Sequence, residues 1–275
     1  MTGSVKLADI HSDLVPHPTQ QQVLEDPTRF KVVVTGRRWG KSQFALIAAV
    51  NHIISHPEAS VIWIVSPTLD DVRQLWTRAI RYLRKVANPA FESPFSPEGK
   101  LVTGALRDRY DCRLFFYNRS RIYFKAGECL TFFHDEDEIP SLLIVDEADL
   151  LPEHAWRVLW VWVMDEVETA IFLSTPANKN DLRDFFHQMY LAGSEKRRVL
   201  CCACGSIFKI NPKECIFETP KCDDGIFEIE NDKKKKNYKT FNFSSYNNPF
   251  VPREELDELV EETLNPLRDV YGCFA

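Results

Sequence analysis

Three β-branched residues, Val32 to Val34, run into a glycine-bearing turn, and Gly40-Lys41-Ser42 then opens an amphipathic helix. Few local patterns constrain a fold so tightly. Strand, glycine loop and helix in this order turn backbone N–H groups and the positive end of a helix toward one point, where phosphate oxygens can sit. The spacing makes Thr35, Gly36, Arg37, Arg38, Trp39 and Gly40 the candidate phosphate cradle. Lys41 is then expected to reach the β- and γ-phosphates of ATP, and the Ser42 hydroxyl to hold Mg²⁺. The usual pattern has four residues between its two glycines; here Thr35 occupies the first glycine place and Gly36 comes one position late. A glycine-rich turn with an incidental lysine and serine is the competing reading of these residues alone.

A second stretch decides between the two. Leu142 to Val145 is a continuous apolar run that ends in Asp146-Glu147. A carboxylate at the tip of a buried parallel strand suits Mg²⁺, and the next one can orient and deprotonate an attacking water. Ser174-Thr175-Pro176 closes another apolar run, Thr169 to Leu173, where hydroxyls could sense the γ-phosphate, although taken alone a strand-terminating turn is the default reading. Gln20 or Gln21 could read adenine edges through a side-chain amide, although a surface glutamine run is the default reading.

Periodicity supplies the framework. Residues 1–30 read as irregular. Helices are predicted from Ser42 to Ile54, over Asp70–Val86, from Pro152 to Trp162, over Asp181–Leu191 with Gly193 as cap, and over Pro252–Leu264. In the second of these, Val72, Leu75, Trp76, Ala79 and Leu83 share the apolar face and the arginines lie mostly on the other. Val61–Val65 reads as a buried strand, residues 88–104 as loop, and Leu114–Tyr117 with Ile122–Lys125 as a hairpin turned at Asn118-Arg119-Ser120. Apolar strands alternating with helices predict an α/β phosphate-loop NTPase with a mainly parallel sheet sandwiched by helices, of the additional-strand, catalytic-glutamate type. The expected organisation is an ATPase core over 1–195, an irregular Cys- and Lys-bearing insertion or small subdomain over 196–240, and a strand and helix over 241–275 closing the ATPase domain.

Charge is uneven. The net charge of −6 combines a basic region, 12 Lys/Arg against 4 Asp/Glu over residues 73–125, with an acidic remainder. A polyanion could use the basic region, as could plain solvent. Of eight cysteines, Cys201, Cys204, Cys215 and Cys222 could converge on one Zn²⁺, but their spacing does not form two matched halves, and free or buried thiols are the preferred reading. The N-terminus lacks a secretory layout and no apolar run is long enough for a membrane span.

Taken together, HPTQQQV, VVVTGRRWGKS, WIVSPTLDDVRQLW, LLIVDEADLLPEHAW, FLSTPANKNDLRDFF and SYNNPFVPREELDEL resemble the large terminase subunit of tailed viruses. That family comprises ATP-driven motors that package DNA into procapsids. The resemblance implies an adenine contact at Gln20 or Gln21 and a γ-phosphate-sensing or stabilising arginine at Arg37. It also implies a loop lysine and Mg²⁺ hydroxyl at Lys41 and Ser42, a metal carboxylate at Asp146, a catalytic base at Glu147, and a coupling motif at Ser174, Thr175 and Pro176. Arg38 is expected to face solvent or a partner. The family often carries Arg-Gly about eleven residues before the catalytic glutamate; Glu136-Asp137 stands there in this chain, so Arg119 and Arg121 are the first choices for an arginine acting on a neighbouring subunit, with DNA contact or simple surface charge as equal alternatives. The chain ends near where the family's nuclease domain would begin, and no nuclease activity is expected of it.

The implied partners are double-stranded DNA, the portal and procapsid, the small terminase subunit and further copies in a ring, with no membrane; the implied location is the cytoplasm of an infected host cell. Two other readings share the nucleotide motifs: a helicase-like or RNA-modification-associated ATPase module, and a nucleotide-binding regulator that does not hydrolyse.

Overall fold

In the computed structural model the described residues are 6–108, 111–130, 138–162, 166–176, 185–194, 196–200, 226–230, 235–263 and 269–272. The chain opens with α1 (Leu7–Ile10) and α2 (Pro18–Glu25), followed by β1 (Phe30–Thr35), α3 (Lys41–Ser55), β2 (Val61–Ser66) and α4 (Leu69–Leu83). Next come β3 (Val102–Arg107), β4 (Asp111–Phe116), β5 (Arg121–Ala126), β6 (Leu142–Asp146), α5 (Glu153–Trp162), β7 (Thr169–Ser174) and α6 (Phe185–Gly193). The last elements are β8 (Lys196–Leu200), β9 (Ile226–Glu230), β10 (Tyr238–Phe243) and α7 (Arg253–Glu262).

Eight strands form one sheet in the order β10-β1-β7-β6-β2-β5-β4-β3, while β8 and β9 pair separately. From β10 to β5 the neighbours run parallel; β4 and β3 extend the edge antiparallel. Alternation along each strand shows why the runs are continuously apolar. Val33, Ile62, Ile64, Ile144, Ile171 and Leu173 face a core shared with α1, α3 and α4. Val32, Val34, Trp63, Val65, Leu143, Val145 and Phe172 face a second core under α5 and α6. A strand buried on both faces cannot alternate polar with apolar.

Between β1, which feeds the glycine loop, and β6, which carries Asp146, lies β7. This interposed strand defines the additional-strand layout, and it sets Ser174 and Thr175 between the loop and the carboxylates.

The expectation of an irregular N-terminus is corrected: α2 begins at Pro18 in the first helical position, the His17 ring accepts the Gln20 N–H, and the Gln20 amide oxygen accepts the His17 N–H at 3.2 Å. A histidine in the capping position is a weak sequence signal beside serine or threonine. Over 88–104, expected as loop, β3 starts at Val102 as an edge strand whose register shifts between Val102 and Gly104. α4 stops at Leu83, three residues before its expected end. α6 runs through Gly193, and the predicted start at Asp181 lies outside the described residues. No helix among the described residues is long and apolar enough to cross a membrane.

Candidate nucleotide and metal site

The carboxyl ends of β1, β7, β6 and β2 converge, because their registers keep Thr35, Ser174, Asp146 and Ser66 close to one level. Above them the loop turns through Arg38 and Gly40, whose φ angles of 64° and 96° are left-handed. Gly40 caps α3, so Lys41 is its first residue.

Lys41 is buried, and its Nζ donates to Thr175 Oγ1 at 2.7 Å and stands 3.4 Å from Glu147 Oε1. Glu147 has φ 51°, a conformation that costs a non-glycine residue of order 1–3 kcal/mol and that turns up where function fixes the backbone. The following turn is held by the Leu150 N–H on Glu147 O at 2.9 Å and by the Asp149 N–H on Ser174 Oγ at 3.2 Å. Ser174 in turn donates to Thr175 O at 3.0 Å. The end of β7 therefore touches the loop lysine with one hydroxyl and the segment behind Glu147 with the other.

Asp146 is buried, hydrogen-bonded to the Ser42 side chain, and leaves Oδ1 with no partner. Desolvation, with the Glu147 charge adding to it, pushes its carboxyl up to about 6, against the pull of Ser42 and Lys41. A buried orphan carboxylate oxygen beside a hydroxyl suits a hard, oxygen-seeking cation. Mg²⁺ fits this pair, since it takes one or two protein oxygens and completes its shell with water and phosphate. Among the described residues no group of three or more His, Cys, Asp or Glu gathers to hold a metal. Next to Ser42, Asp146 and Glu147 opens a cavity of about 150 Å³, whose further lining is Ser66, Pro67, Asp71, Gln74, Leu75 and Arg78.

Other candidates divide. Gln20 faces the loop, with Nε2 3.4 Å from Gly40 O, whereas Gln21 reaches along its helix to Glu25 at 2.6 Å. The Trp39 side chain is fully buried, stacked on Phe243 and donating to Thr19 Oγ1 at 3.0 Å, so it anchors the loop in the core. The Thr35 hydroxyl is buried without a partner, and Pro176 is buried. Arg37 and Arg38 turn away from the lysine. The Arg37 N–H donates to Asp269 O and its Nε lies 3.4 Å from Asp269 Oδ1; Arg38 pairs with Glu255. Arg119 lies over the Phe95 ring, 4.1 Å from its centroid, and Arg121 pairs with Glu138 at 2.8 Å. Both sit at the opposite end of the sheet, where Arg121 is in register with Val61. Five residues along β2 to Ser66, at about 3.3 Å each, put them roughly 17 Å below the site. Cys201, Cys204, Cys215 and Cys222, and the acidic Glu136-Asp137, lie outside the described residues.

The α4 side chains in the cavity had a sequence signal. Asp71, Gln74, Leu75 and Arg78 are spaced i, i+3, i+4, i+7 just after the strand that ends at Ser66.

No family model and no curated protein matches this sequence. Solved structures do. The ATPase domain of the Thermus phage P74-26 large terminase superposes with a TM-score of 0.60 and 18% identity over 95% of this chain and 94% of that one. The large terminase of a second thermophilic bacteriophage, in complex with ATP-γ-S, gives 0.52 and 12% over 93% of this chain. The chain spans 51% of that protein's length. The same terminase in complex with ADP gives 0.50 and 13%. The fold is that of large terminase ATPase domains, a phosphate-loop NTPase fold.

Proposed function

We propose that this chain is the ATP-hydrolysing motor domain of a DNA-packaging terminase that translocates double-stranded DNA into a procapsid. The observation that carries the reading is Lys41, held at the mouth of the loop by Thr175 and Glu147 in the place of a phosphate. When ATP enters, Lys41 exchanges these partners for the β- and γ-phosphate oxygens. That frees Glu147 to accept a proton from a water in line with the γ-phosphorus, and the bond to the β–γ bridging oxygen breaks as the water oxygen bonds to phosphorus. Ser42 and Asp146 would hold Mg²⁺, which neutralises phosphate charge as a Lewis acid when bound. Thr175 loses its lysine when the phosphate arrives, and Ser174 ties the same strand end to the turn behind Glu147, so γ-phosphate loss has a covalent path to the sheet. Gln20 is the adenine-side candidate beside Gly40.

Likeness of fold to terminase ATPase domains supports DNA, the portal and procapsid, the small terminase subunit and a ring of copies as partners, in the host cytoplasm. Arg119 and Arg121 lie too far from the loop of their own chain to act there; a neighbouring subunit, DNA and plain surface charge are the readings that stay open for them.

The test is phosphate release from Mg·ATP, with and without portal-bearing procapsids, DNA or RNA. Wild type should turn over and respond to procapsids. Lys41→Ala should lose turnover and nucleotide affinity, and Glu147→Gln should bind ATP while hydrolysing it roughly 100-fold more slowly. Stimulation by RNA alone would favour the helicase-like reading, and wild-type turnover in Glu147→Gln would refute the assigned chemistry.

A further inference from the structure

Both arginines of the phosphate loop are engaged elsewhere, by Asp269 and Glu255. The cavity beside Asp146 and Glu147 nevertheless contains a cation, and it comes from α4. Arg78 lines the cavity and is half-buried. Asp71, Asp146 and Glu147 line the same space, yet Arg78 forms no ion pair or hydrogen bond with any described residue. Asp71 is already used, since its carboxylate accepts from the Thr68 hydroxyl at 2.6 Å to cap the helix. The guanidinium thus shares the cavity with three carboxylates while its N–H donors stay unspent. A planar fork of unspent donors matches the oxygens of a phosphoryl group.

We infer that Arg78 is a catalytic residue of this site, supplied by the same chain, which contacts the γ-phosphoryl oxygens from the side opposite Lys41. The inference rests on the ATPase reading above and adds to it the cation that completes the γ-phosphate shell. Position supports it. The strand β2 that delivers α4 is the immediate neighbour of β6, and Arg78, on the third turn of α4, lines the cavity together with Asp146 and Glu147. The cavity of about 150 Å³ is large enough to admit water, as an attacking nucleophile requires. Gln74, one turn before Arg78 and exposed, lines the same wall and can orient that water by its amide. Arg37, by contrast, would first have to release Asp269.

The contact has a signature that a structural role lacks. It exists only while a third phosphate is present, so it must separate ATP from ADP. The experiment measures binding of ATP-γ-S and of ADP by calorimetry, and kcat and KM for Mg·ATP, in wild type, Arg78→Ala, Arg78→Lys, Arg37→Ala and the exposed control Arg81→Ala. For Arg78→Ala we expect kcat to fall by about 10²-fold with KM within about threefold, as for loss of a charged donor that acts in the transition state. ATP-γ-S affinity should fall by about tenfold with ADP affinity unchanged. Arg78→Lys should recover part of the affinity and less of the rate. Millimolar guanidinium added to Arg78→Ala should restore turnover in part, and Arg81→Ala should match wild type. The inference is overturned if Arg78→Ala keeps both kcat and the ATP-γ-S to ADP ratio within about twofold of wild type while Lys41→Ala and Glu147→Gln are inactive. Binding alone decides the matter if the isolated chain turns over too slowly to measure. Failure of the wild type to bind any nucleotide would instead refute the ATPase reading, and the inference with it.

Discussion

Replacing Gly36 by alanine should loosen the C-terminal segment from the phosphate loop. A Cβ built on Gly36 would lie 2.1 Å from Val270 O, 2.5 Å from Ser245 Oγ and 2.6 Å from Val270 C, all inside the 3.0 Å that real Cβ atoms respect. Two of these three atoms are backbone, so the clash cannot be relieved by a rotamer change and the 269–272 segment must move by about an ångström. That movement acts on the Ser245 N–H bond to Val270 O (2.7 Å), the Arg37 N–H bond to Asp269 O, and the Arg37–Asp269 ion pair. Two backbone bonds at about 0.5–1.5 kcal/mol each, plus about 1–3 kcal/mol for overpacking a closed site, give roughly 2–6 kcal/mol. At about 2–4 °C per kcal/mol for a chain of this size, Tm should fall by roughly 4–24 °C. Thermal unfolding followed by circular dichroism reads the shift, and amide hydrogen exchange at Ser245 and Arg37 locates it. Gly104→Ala is the control, because its Cβ would meet only side-chain carbons of Phe115, the nearest at 3.3 Å. A Gly36→Ala protein that melts within about 1 °C of wild type with Ser245 still protected would refute the packing argument.

Stability should also depend on His52. Burial, with the charge of His56 adding to it, lowers its pKa from 6.5 to about 4, and its Nε2 lies 3.1 Å from Ser141 Oγ. A folded pKa below the unfolded one means the unfolded chain binds more protons between these values. The contribution is therefore complete above pH 6.5 and is lost as pH falls toward 4, by no more than about 3 kcal/mol given partial exposure. Urea midpoints across pH 4.5–7 check this, and His52→Gln should flatten that part of the profile. Ser174→Ala should remove the acceptor of the Asp149 N–H and cost about 1–3 kcal/mol in stability, while slowing turnover more than it weakens ATP binding. Asp146→Asn should abolish the Mg²⁺ dependence of nucleotide binding in a titration of Mg²⁺ at fixed ADP, because the carboxylate with the unpartnered oxygen is lost.

The sequence by itself determined the local pieces and their chemistry. Val32–Val34 before Gly40-Lys41-Ser42, and Leu142–Val145 before Asp146-Glu147, each combine a period and a chemical group within a few residues, so strand, turn and helix follow from nearest-neighbour physics. Continuous apolar runs separated by helical spacing likewise imply strands covered on both faces. What lay beyond the sequence was contact across long separations. Nothing local to Gly36 says that Val270 will press on it; at that position the tertiary structure, and not the loop turn, requires the absent Cβ. The turn itself is made by Arg38 and Gly40. Similarly, Arg37 reads as a phosphate ligand until Asp269, 232 positions later, takes its N–H and guanidinium. Arg78 reads as one solvated arginine among several until β2 is seated beside β6 and its side of α4 faces the carboxylates. Periodicity fixes which face of a helix is apolar, but the rim of that face belongs to solvent or to a site according to the neighbouring strand, and only the sheet order decides which.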